Sequence, residues 1–452
     1  MSDIQFRQKI GLPLVSYIMI GFMIGGGVFV YTGLVYQYSA QALPLAYFFA
    51  AIPVFISMMP LAMLASAMPI SGANYMYASR MVSPGLAFTG VWVYALASFF
   101  GQIPLYLIGC SRYIESLAPE VNVTVLALVI LTVFYLINLL GVKMAAQFQG
   151  ILILVLITAL VVFISGGIDT VEVSRFHPLL ETGSGGLILG VALLSFTYFG
   201  GNGVVELGSE IKNPGKTIPR AFYIAFPLVM LLYVGLSFVT VGSVPGEMLQ
   251  DAPEPLLVAG KSFLGNGFYV FFVVGGAVLA LLTTLNSLLI IGTRSLFMIV
   301  QDQMLPAWMG RLTPGKQVPW VLLTLIYALS VAGILSGFSL NTFASYASLG
   351  GLVIFVPILL AAWRFPTQYP KQFNARPFRI SRFWLRAAVL VGLAMVLFFG
   401  VIILYDLKNP FKILFFLMFI ATGYLVFCWR KQRLTRLGKP LDSLIKKLDV
   451  DE

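Results

Sequence analysis

The chain contains 452 residues, of which 59% are hydrophobic and 10% are charged. Soluble globular domains carry about 25% charged residues, so this composition excludes a soluble globular fold and indicates a membrane protein. The formal net charge is +11, and the positions of the charges decide whether it reflects nucleic acid binding or membrane topology.

Twelve apolar stretches, each near the ~20 residues that a helix needs to cross a bilayer, are separated by polar turns. They lie near residues 13–37, 42–66, 86–113, 122–141, 146–165, 186–209, 219–242, 268–300, 318–336, 341–362, 385–405 and 411–429. The first stretch is too long, and too closely followed by others, to be a cleaved signal peptide. The sequence therefore predicts an all-α polytopic membrane protein with 12 transmembrane helices.

The basic residues follow this predicted topology. If the N-terminus is cytoplasmic, 23 of the 28 lysines and arginines fall in cytoplasmic segments and 5 fall outside. Such an excess is the positive-inside pattern of membrane proteins. We therefore expect a multi-pass protein of the plasma or inner membrane with both termini in the cytoplasm. Its surface partner would be anionic lipid at the cytoplasmic face, and no nucleic acid is expected.

The first span contains three successive glycines, Gly25, Gly26 and Gly27, near the middle of the bilayer. Each glycine costs up to about 1 kcal/mol relative to alanine within a helix, so the backbone is only weakly helical there. Non-helical backbone survives at that depth only where protein buries it or where it lines a cavity. We therefore expect a broken helix, with an inner half near 13–23 and an outer half near 28–37.

The sixth span repeats this feature, with three glycines and one asparagine between Gly200 and Gly203. The two spans are five helices apart, so they cross the membrane in opposite directions. Two interrupted segments at matching positions indicate an inverted-repeat transporter with a central binding site. Helix packing through the Gly21-x-x-x-Gly25 pattern is the alternative for the first cluster, but it accounts less well for two clusters.

Two motifs in the first half of the chain, at Ile24–Phe29 and Met68–Tyr77, resemble those of the amino acid–polyamine–organocation (APC) transporters. The segment Ile24-Gly25-Gly26-Gly27-Val28-Phe29 resembles their I-G-S-G-I-F signature. The loop Met68-Pro69-x-Ser71-Gly72-x-x-Tyr75-x-Tyr77 is similar to their F-P-x-S-G-G-x-Y-x-Y loop. Three departures accompany the resemblance: Gly26 replaces a serine, Met63 replaces a frequent glutamate, and the fifth span lacks the lysine of the proton-coupled branch.

Motifs in the second half extend the resemblance to the tenth span in the right order. Glu210-x-Lys212-Asn213-Pro214 with Ile218-Pro219-Arg220-Ala221 is similar to E-x-K-N-P…I-P-R-A, and Arg294, Asp302 and Leu305-Pro306 match the end of the eighth span. The resemblance implies the LeuT-like or APC fold, a 5+5 inverted repeat with broken helices 1 and 6 plus two additional C-terminal helices. The repeats would cover 1–165 and 186–362, the added helices 385–429, and a cytoplasmic tail 430–452.

The resemblance also implies an amino acid substrate, and the broken helices suit a zwitterion. Free amides near Gly26, Gly27 and Val28, at the start of the outer half of span one, would hold the carboxylate. Free carbonyls at the break in span six would hold the ammonium group. Phe196 aligns with the aromatic gate of the family. The expected substrate-binding residues are Ile24, Gly25, Gly26, Gly27, Val28, Phe196, Thr197, Tyr198, Phe199, Gly201 and Asn202.

Glu206 lies about 6 Å inward from the break at Asn202, and an ionisable residue at that depth is a functional candidate. Three roles stay open for it: pairing with a cationic substrate, carrying a proton, or pairing with a basic residue of an inner gate. Thr283 and Thr284, with Ser287, are gating or coupling candidates whose oxygens suit sodium. Hydroxyls bonded to helix carbonyls are the commoner arrangement, so no metal site and no cofactor is predicted.

Other classes of membrane protein fit the sequence less well. An enzyme needs converging acids, histidines or metal ligands, and the sequence has one loop histidine and one mid-membrane glutamate. A channel needs a ring of like residues. We therefore predict a secondary active amino acid permease or antiporter that works by alternating access. The alternatives are a cationic amino acid or polyamine carrier that uses Glu206, and a non-transporting membrane sensor of amino acids.

Overall fold

The computed structural model describes residues 10–70, 72–140, 145–250, 252, 254–314 and 318–441, with the backbone alone over 145–151. Within these residues the chain is helical, and extended pairing is limited to two isolated bridges. Ten helical stretches are long and apolar enough to cross a bilayer, and Trp320–Leu335 is a shorter apolar helix. The prediction of an all-α polytopic membrane protein is confirmed at this level.

The helices of the first half are α1 (Leu12–Ile24), α2 (Gly27–Ser39), α3 (Leu43–Ala67), α4 (Ala73–Met81), α5 (Pro84–Leu96), α6 (Ile103–Glu115), α7 (Val123–Leu140) and α8 (Ala145–Gly167). Those of the second half are α9 (Gly183–Tyr198), α10 (Asn202–Val205), α11 (Pro214–Ser243), α12 (Gly246–Gln250), α13 (Pro255–Phe263), α14 (Asn266–Phe271), α15 (Leu279–Gln301), α16 (Trp320–Leu335), α17 (Leu340–Gln368), α18 (Pro370–Ala375), α19 (Arg382–Asp406) and α20 (Pro410–Arg436).

The first span is broken where the glycines predict. Helix α1 ends at Ile24 and α2 begins at Gly27, so Gly25 and Gly26 form the turn between them. The N–H of Gly25 still donates to the Gly21 carbonyl, at 3.0 Å, and closes the last turn of α1. Because glycine has no Cβ, the chain can change direction here against closely packed neighbours.

The sixth span is broken as well, and its inner part is shorter than expected. Helix α9 ends at Tyr198, a 3₁₀ turn covers Phe199–Gly201, and α10 is a single turn from Asn202 to Val205. The helical stretch therefore spans Gly183–Val205, whereas the apolar pattern predicts 186–209. The residues from Glu206 onward form turns before α11 begins at Pro214.

Proline lies inside or beside several helices without ending them. Pro53 and Pro60 lie inside α3, which continues past both of them. Near Gln102 and Pro104, α5 and α6 are joined by a π-helical turn over Ala97–Gln102. Proline has no N–H for the preceding turn, and a π turn accommodates the missing bond without ending the helix.

The broken segments lie in the centre of the molecule and other helices surround them. In the segment that contains α9 and α10, 78% of the most apolar window is buried, against 17% in α7. Large apolar side chains on the peripheral helices are exposed, among them Leu140 on α7, Tyr405 on α19 and Leu425 on α20. This is the pattern expected when lipid, and not water, contacts the outer surface.

Candidate functional site

Backbone contact between α1 and the broken sixth segment defines the centre of the site. A Cβ added at Gly200 would overlap the Phe22 carbonyl oxygen and lie 2.6 Å from the Met23 nitrogen. A Cβ at Gly203 would lie 2.5 Å from the ring of Phe22, and one at Gly27 would lie 3.2 Å from Thr197. Glycine at these positions therefore permits the two breaks to touch.

Side chains from distant helices satisfy part of the broken backbone of span one. The N–H of Gly26 donates to Thr284 Oγ1 of α15, at 3.0 Å, and that hydroxyl donates to the Ala280 carbonyl. The Tyr233 hydroxyl of α11 donates to the Met23 carbonyl, at 2.6 Å. One of the three amides expected to hold a carboxylate is therefore engaged. The first turn of α2 still has amides that lack intrahelical partners.

A cavity lies beside the two breaks, and six of the predicted site residues line it. They are Phe196, Thr197, Phe199, Asn202, Glu206 and Thr284. The end of α1 contributes Phe22 and Met23 to the same wall. The cavity extends past Glu206 to Gly72 and Asn74, at the end where the loop between the second and third predicted spans lies.

The other predicted site residues lie near the breaks without lining the cavity in this conformation. They are Ile24, Gly25, Gly26, Gly27, Val28, Tyr198, Gly201 and Thr283. Leu281 and Tyr106 pack against Gly26, where an added Cβ would lie 3.0 Å from the tyrosine ring. The Tyr198 hydroxyl donates to the Tyr47 carbonyl, at 3.0 Å, so its side chain belongs to the helix packing.

Phe196 lies in an aromatic cluster at the opposite end of the cavity from Gly72. Its ring is stacked on Tyr31 of α2, with 5.8 Å between the centroids, and its edge contacts Phe199. The Tyr31 hydroxyl donates to the Ala344 carbonyl of α17. The cluster therefore connects α2, α9 and α17 above the cavity.

Glu206 is a carboxylate in the wall of the cavity. Its Oε1 accepts a hydrogen bond from the Asn74 backbone N–H, at 3.1 Å. The three ion pairs among the described residues join Arg80 to Asp302, Arg175 to Glu172 and Arg294 to Glu210. None of them includes Glu206, and no lysine, arginine or histidine of the described chain lines the cavity. In this conformation Glu206 is therefore not paired with a described gate cation.

The hydroxyls suggested for sodium bond to their own helix. Thr283 and Thr284 donate to the Ala280 carbonyl, and Ser287 donates to the Thr283 carbonyl. This is the commoner arrangement of hydroxyls within a membrane helix. The described part of the chain has no group of three or more histidine, cysteine or carboxylate residues that could hold a metal ion.

Several polar residues line the cavity that the sequence did not single out as binding residues. Gln102 Nε2 donates to the Tyr106 hydroxyl, at 3.1 Å, and both residues line the cavity. Three buried lining oxygen atoms have no hydrogen-bond partner among the described residues: Asn74 Oδ1, Gln102 Oε1 and Asn202 Oδ1. Gln102 could have been identified from the sequence, because it is a polar residue within an apolar stretch.

A buried ion pair connects helices at the Gly72 end of the cavity. Arg80 of α4 binds Asp302, which follows α15, through two hydrogen bonds of 2.6 and 2.9 Å. The two side chains are only 7% and 13% exposed. Paired donors and acceptors of this geometry are the strongest form of side-chain ion pair. The pair therefore holds α4 against the end of α15.

Comparison with known proteins identifies the family. The Bacillus subtilis methylthioribose transporter is 27% identical over 442 residues, which cover 93% of this chain and 92% of that protein. A branched-chain amino acid permease of the same organism is 24% identical, with coverage of 78% and 80%. The vacuolar cationic amino acid transporter 4 of Arabidopsis thaliana is 27% identical, with coverage of 78% and 62%. Residues 15–434 match the amino acid permease family, so this chain belongs to that family of the APC superfamily.

Proposed function

We propose that this chain carries amino acids across the membrane by alternating access, with the substrate bound beside the two helix breaks. The observation that carries the proposal is a mostly apolar cavity, with Asn202, Glu206 and Gln102 among its few polar side chains, at the point where α1 contacts the sixth segment. Inverted-repeat transporters place their substrate at such interrupted helices. The proposal includes twelve crossings, repeats over 1–165 and 186–362, and added helices over 385–429.

The two breaks present partial charges of opposite sign to a zwitterion. Helix α2 begins at Gly27, and its free amides carry a partial positive charge of about half a unit. Helix α9 ends at Tyr198, and its last carbonyls carry a similar negative charge. The first end holds an α-carboxylate and the second an α-ammonium group. Neither end then needs a charged side chain.

Phe196 is the gate that covers the substrate from outside in this proposal. Its side chain is 6% exposed and stacks on Tyr31, so separation of α9 from α2 would uncover the cavity. Thr284 links the first break to α15 through Gly26, and a movement of α1 and α2 against α15 would break that bond. Thr283 lies beside it on the same helix.

A substrate with a cationic side chain is the second candidate, and Glu206 supports it. The Glu206 carboxylate lies in a wall without a described basic residue, and the same cavity has three buried amide oxygens for which the described residues provide no hydrogen-bond partner. A group rich in hydrogen-bond donors would satisfy these atoms, since buried polar groups are costly when unpaired. The names of the relatives include both neutral and cationic substrates.

Uptake by the purified chain in proteoliposomes tests the proposed function. The panel contains radiolabelled leucine, serine, methionine, arginine and putrescine, each with and without a pH or sodium gradient. Saturable uptake or exchange that distinguishes L- from D-amino acids is the expected result. Saturable binding without flux would reject a carrier in favour of a sensor, and absence of both would reject the substrate class.

Substitution Glu206→Gln separates the two candidates. If Glu206 binds a cationic side chain, the variant loses arginine or putrescine uptake at least tenfold and keeps leucine uptake, because the carboxylate is the only charged group that the described residues place in the wall. Equal loss for arginine and leucine would reject that role. A changed pH dependence of leucine uptake would instead indicate that Glu206 carries a proton. Asn202→Ala, in the same wall, is the control for loss of a neutral polar group.

A further inference from the structure

The corner between α18 and α19 carries a concentrated positive charge. From Arg364 to Arg386 the sequence contains six lysines and arginines and no aspartate or glutamate. None of the three ion pairs within the described residues includes a member of this segment. The corner is therefore a concentrated cationic surface and not a network of internal ion pairs.

Arg376 is buried in this corner and stabilises the turn between α18 and α19. Its guanidinium donates to the carbonyls of Phe373 and Ile380 and lies over the ring of Phe373, 3.5 Å from the centroid. Burial, together with the nearby charges of Arg379 and Arg382, lowers the pKa of Arg376. The Arg382 guanidinium lies over the same Phe373 ring, 5.6 Å from its centroid. Two like charges therefore share one ring, and an external anion would relieve their repulsion.

Two large aromatic side chains are exposed beside these arginines, at the start of α19. Phe383 is 71% exposed and Trp384 is 66% exposed. The Ser381 hydroxyl caps the helix by accepting the Trp384 N–H, so both rings lie in the first turn. Exposed aromatic residues at the end of a membrane helix are typical of the boundary between headgroups and acyl chains. An anion bound here would therefore lie at headgroup depth.

The corner lies at the end of the molecule that the charge pattern predicts to be cytoplasmic. The Phe378 N–H donates to Ser66 Oγ near the end of α3, and Pro377 packs against Gly215 in the first turn of α11. Anionic phospholipids are concentrated in the leaflet on that side. Nucleic acid or an acidic protein would not need the aromatic residues, whereas acyl chains would contact them.

We propose that Arg379 and Arg382 form a binding site for the headgroup phosphate of an anionic phospholipid, whose acyl chains lie along Phe383 and Trp384. Arg376 positions the site because it fixes the backbone on both sides of the turn. Arg386 is one helical turn beyond Arg382 and over the ring of Trp363, so it extends the cationic surface along α19.

Native mass spectrometry of the purified chain, titrated with phosphatidylglycerol or phosphatidylcholine, tests the site. The double variant R379Q/R382Q should bind phosphatidylglycerol about 25-fold more weakly, since each charge near the surface contributes about fivefold. The matched control R436Q/K439Q removes two exposed charges at and just beyond the end of α20 and should change the affinity by no more than about threefold, because only screened long-range attraction is lost.

The charge-retaining variant R379K/R382K should recover most of the lost affinity. Unfolding temperatures of all variants verify the fold, and both arginines are exposed, so their substitution removes little packing. An equal loss of phosphatidylglycerol affinity in R379Q/R382Q and in the matched control would reject the site, because net charge alone would then account for binding. Equal binding of phosphatidylcholine, or displacement of the lipid by millimolar inorganic phosphate, would also reject a lipid site. None of these results depends on transport activity.

Discussion

Substitution of Gly200 by alanine tests the contact between the two broken helices. Gly200 lies in the turn between α9 and α10, against the last residues of α1. The added Cβ would overlap the Phe22 carbonyl oxygen and lie 2.6 Å from the Met23 nitrogen. Both of these atoms belong to the backbone, so rotation of a side chain cannot relieve the overlap.

The size of the effect follows from this geometry. Ordinary van der Waals contact begins at 3.4 Å, so the Met23 nitrogen must move about 0.8 Å away from the added Cβ. Because this atom belongs to the backbone of α1, the helix must move with it. Overpacking of a protein interior costs about 1–3 kcal/mol. We expect a cost near the upper end of this range, because both contacted atoms belong to the backbone. A penalty of about 3 kcal/mol confined to this conformation lowers its population by about two orders of magnitude relative to the others.

Initial uptake rates in proteoliposomes and unfolding temperatures in detergent measure the outcome. Gly201→Ala is the matched control, because its Cβ would meet side chains of Met23 and Phe222 at 3.0 and 3.1 Å, which can shift by a few tenths of an ångström. A Cβ added at Gly400 would have no atom within 4 Å, so Gly400→Ala controls for replacement of a glycine by alanine without steric overlap. We expect Gly200→Ala to lose at least tenfold in uptake, and Gly201→Ala to lose much less. Wild-type uptake by Gly200→Ala would refute the reasoning.

Two further predictions concern charges outside the cavity. Asp302→Asn leaves the buried Arg80 without its partner and should destabilise the protein by about 3 kcal/mol. Its control, Glu210→Gln, breaks the longer and more exposed pair with Arg294 and should cost less than about 1 kcal/mol, as read from detergent unfolding. Burial of Glu254, against the lowering effects of Arg112 and Tyr113, raises the pKa of its carboxyl to about 8. Folding then takes up a proton, so stability should fall by up to about 1.4 kcal/mol per pH unit between pH 5 and 8, and Glu254→Gln should remove that slope; an unchanged slope would contradict it.

Local backbone chemistry explains why the sequence predicts the breaks correctly. Three glycines in a row at Gly25 and three around Asn202 weaken the helix wherever they occur, and the structure ends α1 and α9 at those places. The boundaries were less accurate. The apolar pattern extends the sixth span to residue 209, whereas the helix ends at Val205. The two differ because the pattern reflects hydrophobicity and does not reveal the turns that precede Pro214.

The walls of the cavity could be predicted only in part. Phe196, Thr197, Phe199, Asn202 and Glu206 lie close together in sequence, so one motif indicates them all. Asn74 and Gln102 come from other helices, and their inclusion depends on how α4 and the π turn pack against the sixth segment. A polar residue in an apolar stretch indicates a role at that position, but it does not indicate which residues it faces.

Composition, hydrophobic pattern and glycine spacing were sufficient to determine the class of protein, its helical segments and the places where two of them break, because each depends on residues within one or two helical turns. The tertiary structure alone decided which backbone groups at the breaks are already hydrogen-bonded. It also decided which glycine lies in the close contact between the two broken segments. Thr284 satisfies the Gly26 amide from 258 positions away, and Gly200 touches the backbone of α1 across two separate segments. Contacts between such distant residues arise from packing, which no local pattern specifies.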